Sequence, residues 1–152
     1  MTGGGIISPD RPHRSLALPR FVSEANIARQ ERGIRLNDSV ENLRWNIGSA
    51  LERVAGDEAL LNELLNLMVE SLDEHLEKIG KCLESGDCGG VSQSSHAIKG
   101  AAANLSIEAI RETAQIMEAA GKTRDMATIV GLFPRLRELG AVLKDLAASR
   151  AG

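Results

Sequence analysis

Three observations predict an all-α protein, an antiparallel four-helix bundle with a short additional N-terminal helix. Apolar residues recur every three or four positions through most of residues 38–149, the spacing of a helix face packed on a core. Aromatic residues make up only 2% of a chain that is 43% hydrophobic, so the core must be aliphatic, which suits helices packing on helices better than a sheet. In the last segment Met126, Ile129, Phe133, Leu136, Gly140, Leu143 and Ala147 alternate three and four apart, the seam of an antiparallel bundle.

The 152 residues fit one domain of residues 38–149 preceded by a tail. Over residues 1–37, Gly3-Gly4-Gly5, Pro9, Pro12 and Pro19 interrupt any regular element, and arginines outnumber acids, so this stretch reads as a flexible, locally basic leader. Asp38 or Ser39 can cap a first helix carrying Leu43, Ile47, Leu51 and Val54, which Gly56 stops. Asp57 then caps a long second helix whose stripe is Leu61, Leu65, Met68, Leu72, Leu76, Ile79 and Leu83, with Gly80 as a place for a bend. A loop over Ser85–Gly90 leads to a third helix from about Asp87 to Leu105. Ser106 can cap a fourth helix with the stripe Ile107, Ile110, Ala114 and Met117, ending near Gly121. The last helix runs from about Arg124 to Ser149, and Pro134 within it should kink or split it.

The third helix is where chemistry is legible. At roughly 100° per residue, Val91, Ser94, Ile98, Ala101, Ala102 and Leu105 point away from His96 and form the core side. The His96 side carries Gly89, Ser92, Gln93, Lys99, Gly100 and Ala103, a low surface above which an imidazole stands. With an unperturbed pKa of about 6.5, such a ring offers a nucleophilic nitrogen near neutrality. Lys99, one turn on, places a cation within reach of an anion on the ring, and the Gln93 amide can hydrogen-bond the same group. Gly100 gives up helix propensity and leaves a clear approach. His75, among Glu74, Glu77 and Lys78, reads as an inert residue on a charged face, and His13 in the tail as inert too.

His96-x-x-Lys99-Gly100, followed by small residues and Asn104-Leu105, resembles the signature of the histidine-containing phosphotransfer (HPt) domain of two-component phosphorelays. Gly56-Asp57-Glu58 before a leucine-rich helix resembles the start of that family's bundle, and Glu84-Ser85-Gly86-Asp87 the turn before its active helix. The resemblance spans about Asp38 to Ala148; Ser106 departs from it, standing where the family usually has the glycine that ends the active helix.

The resemblance implies a phosphoryl carrier: His96 accepts the group from a receiver-domain aspartate or a hybrid histidine kinase and relays it to a response regulator. It implies no cofactor, since the sequence shows no acidic cluster near His96 and magnesium would come from the receiver's own pocket. It implies no enzyme activity of the kinase kind, because no phosphate-binding glycine loop follows a strand and no second domain is present to bind ATP. A non-catalytic bundle that binds receivers without phosphotransfer is the alternative. A kinase dimerisation helix pair fits less well, for Ala97 and Ile98 stand where an acid and a proline usually follow the histidine. The net charge of −3 argues against nucleic acid as a partner. The absence of a long apolar run argues against a membrane span, and Cys82 and Cys88 fit reduced thiols better than a metal site. A cytoplasmic monomer is the expected setting.

Overall fold

The computed structural model describes residues 38–151; the expected tail and His13 lie outside the described residues. Five helices follow a helical segment over residues 38–43: α1 (Ile47–Arg53), α2 (Glu58–Ser85), α3 (Cys88–Asn104), α4 (Glu108–Lys122) and α5 (Met126–Ala151). α2 to α5 form a closed ring in which each packs on its neighbours in chain order and α5 returns to α2. The predicted all-α bundle is therefore the fold observed. The connections within this ring, from α2 to α3, α3 to α4 and α4 to α5, are two or three residues long, which forces antiparallel neighbours.

Local chemistry explains most helix ends. The side chains of Asp57 and Asp87 accept from Leu60 N at 3.0 Å and Gly90 N at 2.9 Å, satisfying donors that a first turn leaves free. Asp125 does the same for α5, accepting from Thr128 N at 3.2 Å and from Thr128 Oγ1 at 2.6 Å. Gly86, at φ 74°, closes α2 in the left-handed region where a side chain would be strained. The stripes read from the sequence make the core: Leu61, Leu65, Ile79, Val91, Ile110, Met117, Ile129, Leu136 and Leu143 are fully buried.

Three local expectations are corrected. The first helix is not continuous: Arg44 takes φ 49°, Trp45 pairs with Ile107 in an isolated antiparallel bridge, and Asn46 caps a new helix by accepting from Ser49 N at 3.0 Å. The cause is tertiary, because Trp45 is buried and its indole donates to Leu105 O at 2.8 Å. Ser106 caps nothing; it takes φ 59°, its hydroxyl meets Ser49 Oγ at 3.1 Å, and Ile107 is the N-cap residue of α4. Serine thus occupies the left-handed turn expected to want glycine, held there by α1. Pro134 does not split α5, which continues through it with Ile129 and Leu136 seated in the core on either side. α4 ends at Lys122, near Gly121 as expected; Gly121 itself is buried in the last turn, where an added Cβ would stand 2.8 Å from Cys88 O and 2.9 Å from Ser92 N of α3. That missing side chain is what lets α3 and α4 approach so closely.

The α1 region also finishes the end of α3. Arg53 Nη1 donates to Ala103 O at 2.8 Å and Asn104 O at 3.0 Å, and Asn46 N donates to Ser106 O at 3.0 Å. Together with the indole bond to Leu105 O, these satisfy carbonyls that the last turn leaves without helical partners. Among the described residues no helix is long and apolar enough to cross a membrane.

Candidate functional site

α3 is built from small residues, which makes its outer surface low and its inner face tight. Ser94, Ser95, Ile98 and Ala102 are buried, whereas Gln93, His96, Ala97 and Gly100 are exposed. The His96 side chain is 68% exposed. Close packing of α3 on α4 brings it above a residue not singled out in the sequence: Glu118, whose side chain is 8% exposed and whose Oε2 lies 2.8 Å from His96 Nδ1. Lys99 Nζ donates to the other oxygen, Oε1, at 2.6 Å. Lys122 Nζ, one turn along α4, stands 3.3 Å from Oε2.

A nearly buried carboxylate would ordinarily rise in pKa, but here the balance goes the other way. The Lys99 hydrogen bond is the strongest influence, burial opposes it, and the His96 and Lys122 contacts add to it, holding the Glu118 carboxyl down at about 2. At any working pH Glu118 is therefore an acceptor with no proton to give. The His96 nitrogen facing it must supply the hydrogen, so Nδ1 carries the N–H. In the neutral ring the lone pair is then on Nε2, the nitrogen turned away from Glu118.

The other candidates fall as follows. Lys99 is near His96 as expected, but its ammonium is engaged with Glu118 and its side chain is only 30% exposed. Gly100 is exposed, and an added Cβ there would meet nothing within 4 Å, so no contact inside the chain requires glycine. Gln93 is exposed on α3, before His96. His75 is not on an open charged face: it is half-buried on α2, its Nδ1 is buried without a partner, and burial pushes its pKa down, with Lys78 adding to the shift. Cys82 and Cys88 are free and half-buried; burial, ahead of Asp87, pushes the Cys82 thiol up. Among the described residues no group of three or more His, Cys, Asp or Glu is arranged to hold a metal ion.

Glu118 had a faint signal in the sequence. It follows Ala114 by four residues and precedes Lys122 by four, which puts an acid at the edge of a buried stripe with a cation one turn beyond. A half-open groove lies on the other flank of α3, with a volume of about 480 Å³, lined by Val54, Leu64, Leu67, Met68, Ala101 and Leu105 among others.

Fold and site together define a helical-bundle protein that presents a solvent-facing histidine with its inner nitrogen locked to a buried carboxylate. The chain belongs to the Hpt domain family, whose model matches residues 63–151, more than half of its length. Members of that family are phosphoryl carriers in two-component signalling. The Dictyostelium discoideum phosphorelay intermediate protein rdeA is 30% identical over 92 residues, which cover 60% of this chain and 36% of that protein. No solved structure matches the chain. The family match begins within α2, so the α1 region that closes the end of α3 precedes it.

Proposed function

We propose that the chain carries phosphoryl groups on His96, taking them from an aspartyl phosphate on a receiver domain or hybrid histidine kinase and passing them to a response regulator. The Nε2 lone pair attacks phosphorus in line; the N–P bond forms as the bond between phosphorus and the aspartate oxygen breaks, and the aspartate leaves as a carboxylate. The Nδ1 proton stays on the ring throughout. The positive charge that phosphorylation develops on the imidazole faces the Glu118 carboxylate, so the same contact that selects the tautomer also stabilises the product. The supporting observation is the 2.8 Å contact between His96 Nδ1 and Glu118 Oε2.

Gly100 serves as clearance for the receiver, since nothing within the chain needs it bare, and Gln93 lies on the rim of the same surface. Magnesium belongs to the receiver, and the chain draws no phosphate from ATP itself. Incubation with a receiver charged by acetyl phosphate and magnesium should transfer acid-labile, base-stable phosphate to the chain, and His96→Gln should take none. Labelled ATP alone should give no band. Gly100→Gln should leave the fold intact and slow transfer from the receiver. Failure of the wild-type chain to label while still binding the receiver would make it an adaptor.

A further inference from the structure

Lys99 and Lys122 are not equivalent partners of Glu118. Lys99 is mostly buried, bonds Oε1 at 2.6 Å and is that oxygen's close partner. Removing it would leave a desolvated carboxylate oxygen bare, which is costly. Lys122 shares Oε2 with the His96 ring, at the longer distance of 3.3 Å, and its side chain is 67% exposed. If it leaves, Oε2 keeps the Nδ1 hydrogen bond and Oε1 keeps Lys99. Lys122 is therefore the cation that can move away at little cost.

Its position makes the move short. The ring nitrogen and the Lys122 ammonium lie 2.8 and 3.3 Å from one oxygen, so they are no farther apart than those two distances laid end to end. Both side chains are about two-thirds exposed, which puts them at the same solvent-facing rim. Charge points the same way: Glu118 and Lys99 cancel, and Lys122 is the surplus positive charge of the cluster. A phosphoryl group on Nε2 adds a charge of about −2 at that rim.

Resting on the phosphocarrier reading, we propose that Lys122 is the phosphoryl-binding cation of this site, turning from Glu118 to the phosphoryl oxygens once His96 is charged. Lys99 is then a positioning residue that keeps the Glu118 carboxylate under the ring. This reverses the roles suggested by linear spacing, in which Lys99 is the phosphoryl partner.

The test uses phosphoramidate, a small donor that needs no partner protein, and ³¹P NMR of the phosphohistidine in the full chain. A neighbouring ammonium favours the phosphoryl dianion and lowers its last pKa. Lys122→Gln should raise that pKa by roughly half a unit, the size of one unit charge at contact distance in a largely aqueous setting. Lys122→Arg should restore it, and Lys99→Gln should shift it less than Lys122→Gln. A wild-type titration curve in Lys122→Gln, or a larger shift in Lys99→Gln, would overturn the assignment while leaving His96 as the acceptor. No N-linked phosphate on the wild-type chain, from phosphoramidate or from a receiver, would overturn the phosphocarrier reading and this assignment with it. An exposed lysine contributes little to folding, and circular dichroism of each variant checks that the bundle is intact.

Discussion

His96 Nδ1 and Glu118 Oε2 lie 2.8 Å apart across the α3–α4 interface, one side chain 68% exposed and the other 8%. The pair joins a solvent-facing ring to an anchor that cannot wander, because Glu118 is held on its far oxygen by Lys99. An exposed histidine on a helix would otherwise sample several rotamers and both neutral tautomers.

Glu118→Gln should therefore slow phosphoryl acceptance without unfolding the protein. The amide can still meet the ring, but it no longer selects the tautomer or neutralises the imidazolium that forms. Outer partners that orient a histidine are typically worth roughly 10- to 100-fold in function, and a loss of that order is expected in single-turnover transfer from a receiver. Unchanged rates would show that the contact is structural only.

The same group predicts a pH dependence of stability. Its folded pKa, about 2, lies below the ordinary value of 4.5, so its contribution is complete above about 4.5 and is lost as pH falls toward 2. Urea unfolding of wild type and Glu118→Gln should show a gap that is constant from pH 5 upward and closes over that acidic interval. A gap that widened on acidification would contradict the ion-pair geometry.

Gly121→Ala tests the close approach of the two helices. Alanine would gain about 1 kcal/mol in helix propensity, but its Cβ would stand 2.8 Å from Cys88 O and 2.9 Å from Ser92 N, both backbone atoms that cannot swing aside. Overpacking of this kind costs about 1–3 kcal/mol, with strain against backbone at the upper end. Net destabilisation by chemical denaturation is expected, together with slower transfer as α3 moves away from Glu118.

Trp45→Phe should cost about 1–3 kcal/mol, the penalty for leaving the buried Leu105 carbonyl without its 2.8 Å donor while the aromatic volume is largely kept. Urea melts followed by far-UV circular dichroism measure it, since Trp45 is the chain's single tryptophan and its fluorescence is lost with it.

The helices themselves were determined by the sequence, because periodicity and caps act within a few residues. The stripe from Leu61 to Ile79 can be buried only by a helix, and Asp57 and Asp87 bond donors three residues on, whatever the rest of the chain does. The exposed setting of His96 followed from the same arithmetic, as six small or polar neighbours share its face. Tertiary structure decided the rest, wherever the partner is far along the chain. The break at Arg44 to Asn46 exists because the Trp45 indole finds Leu105 O. Ser106 turns left-handed where Asn46 N and Ser49 Oγ receive it. Gly121 is bare because another helix's backbone lies against it. Above all, Glu118 stands 22 residues beyond His96 on another helix. A charged residue on a helix ordinarily faces water, and only the close packing of α3 on α4 turns this one into the buried anchor of the ring.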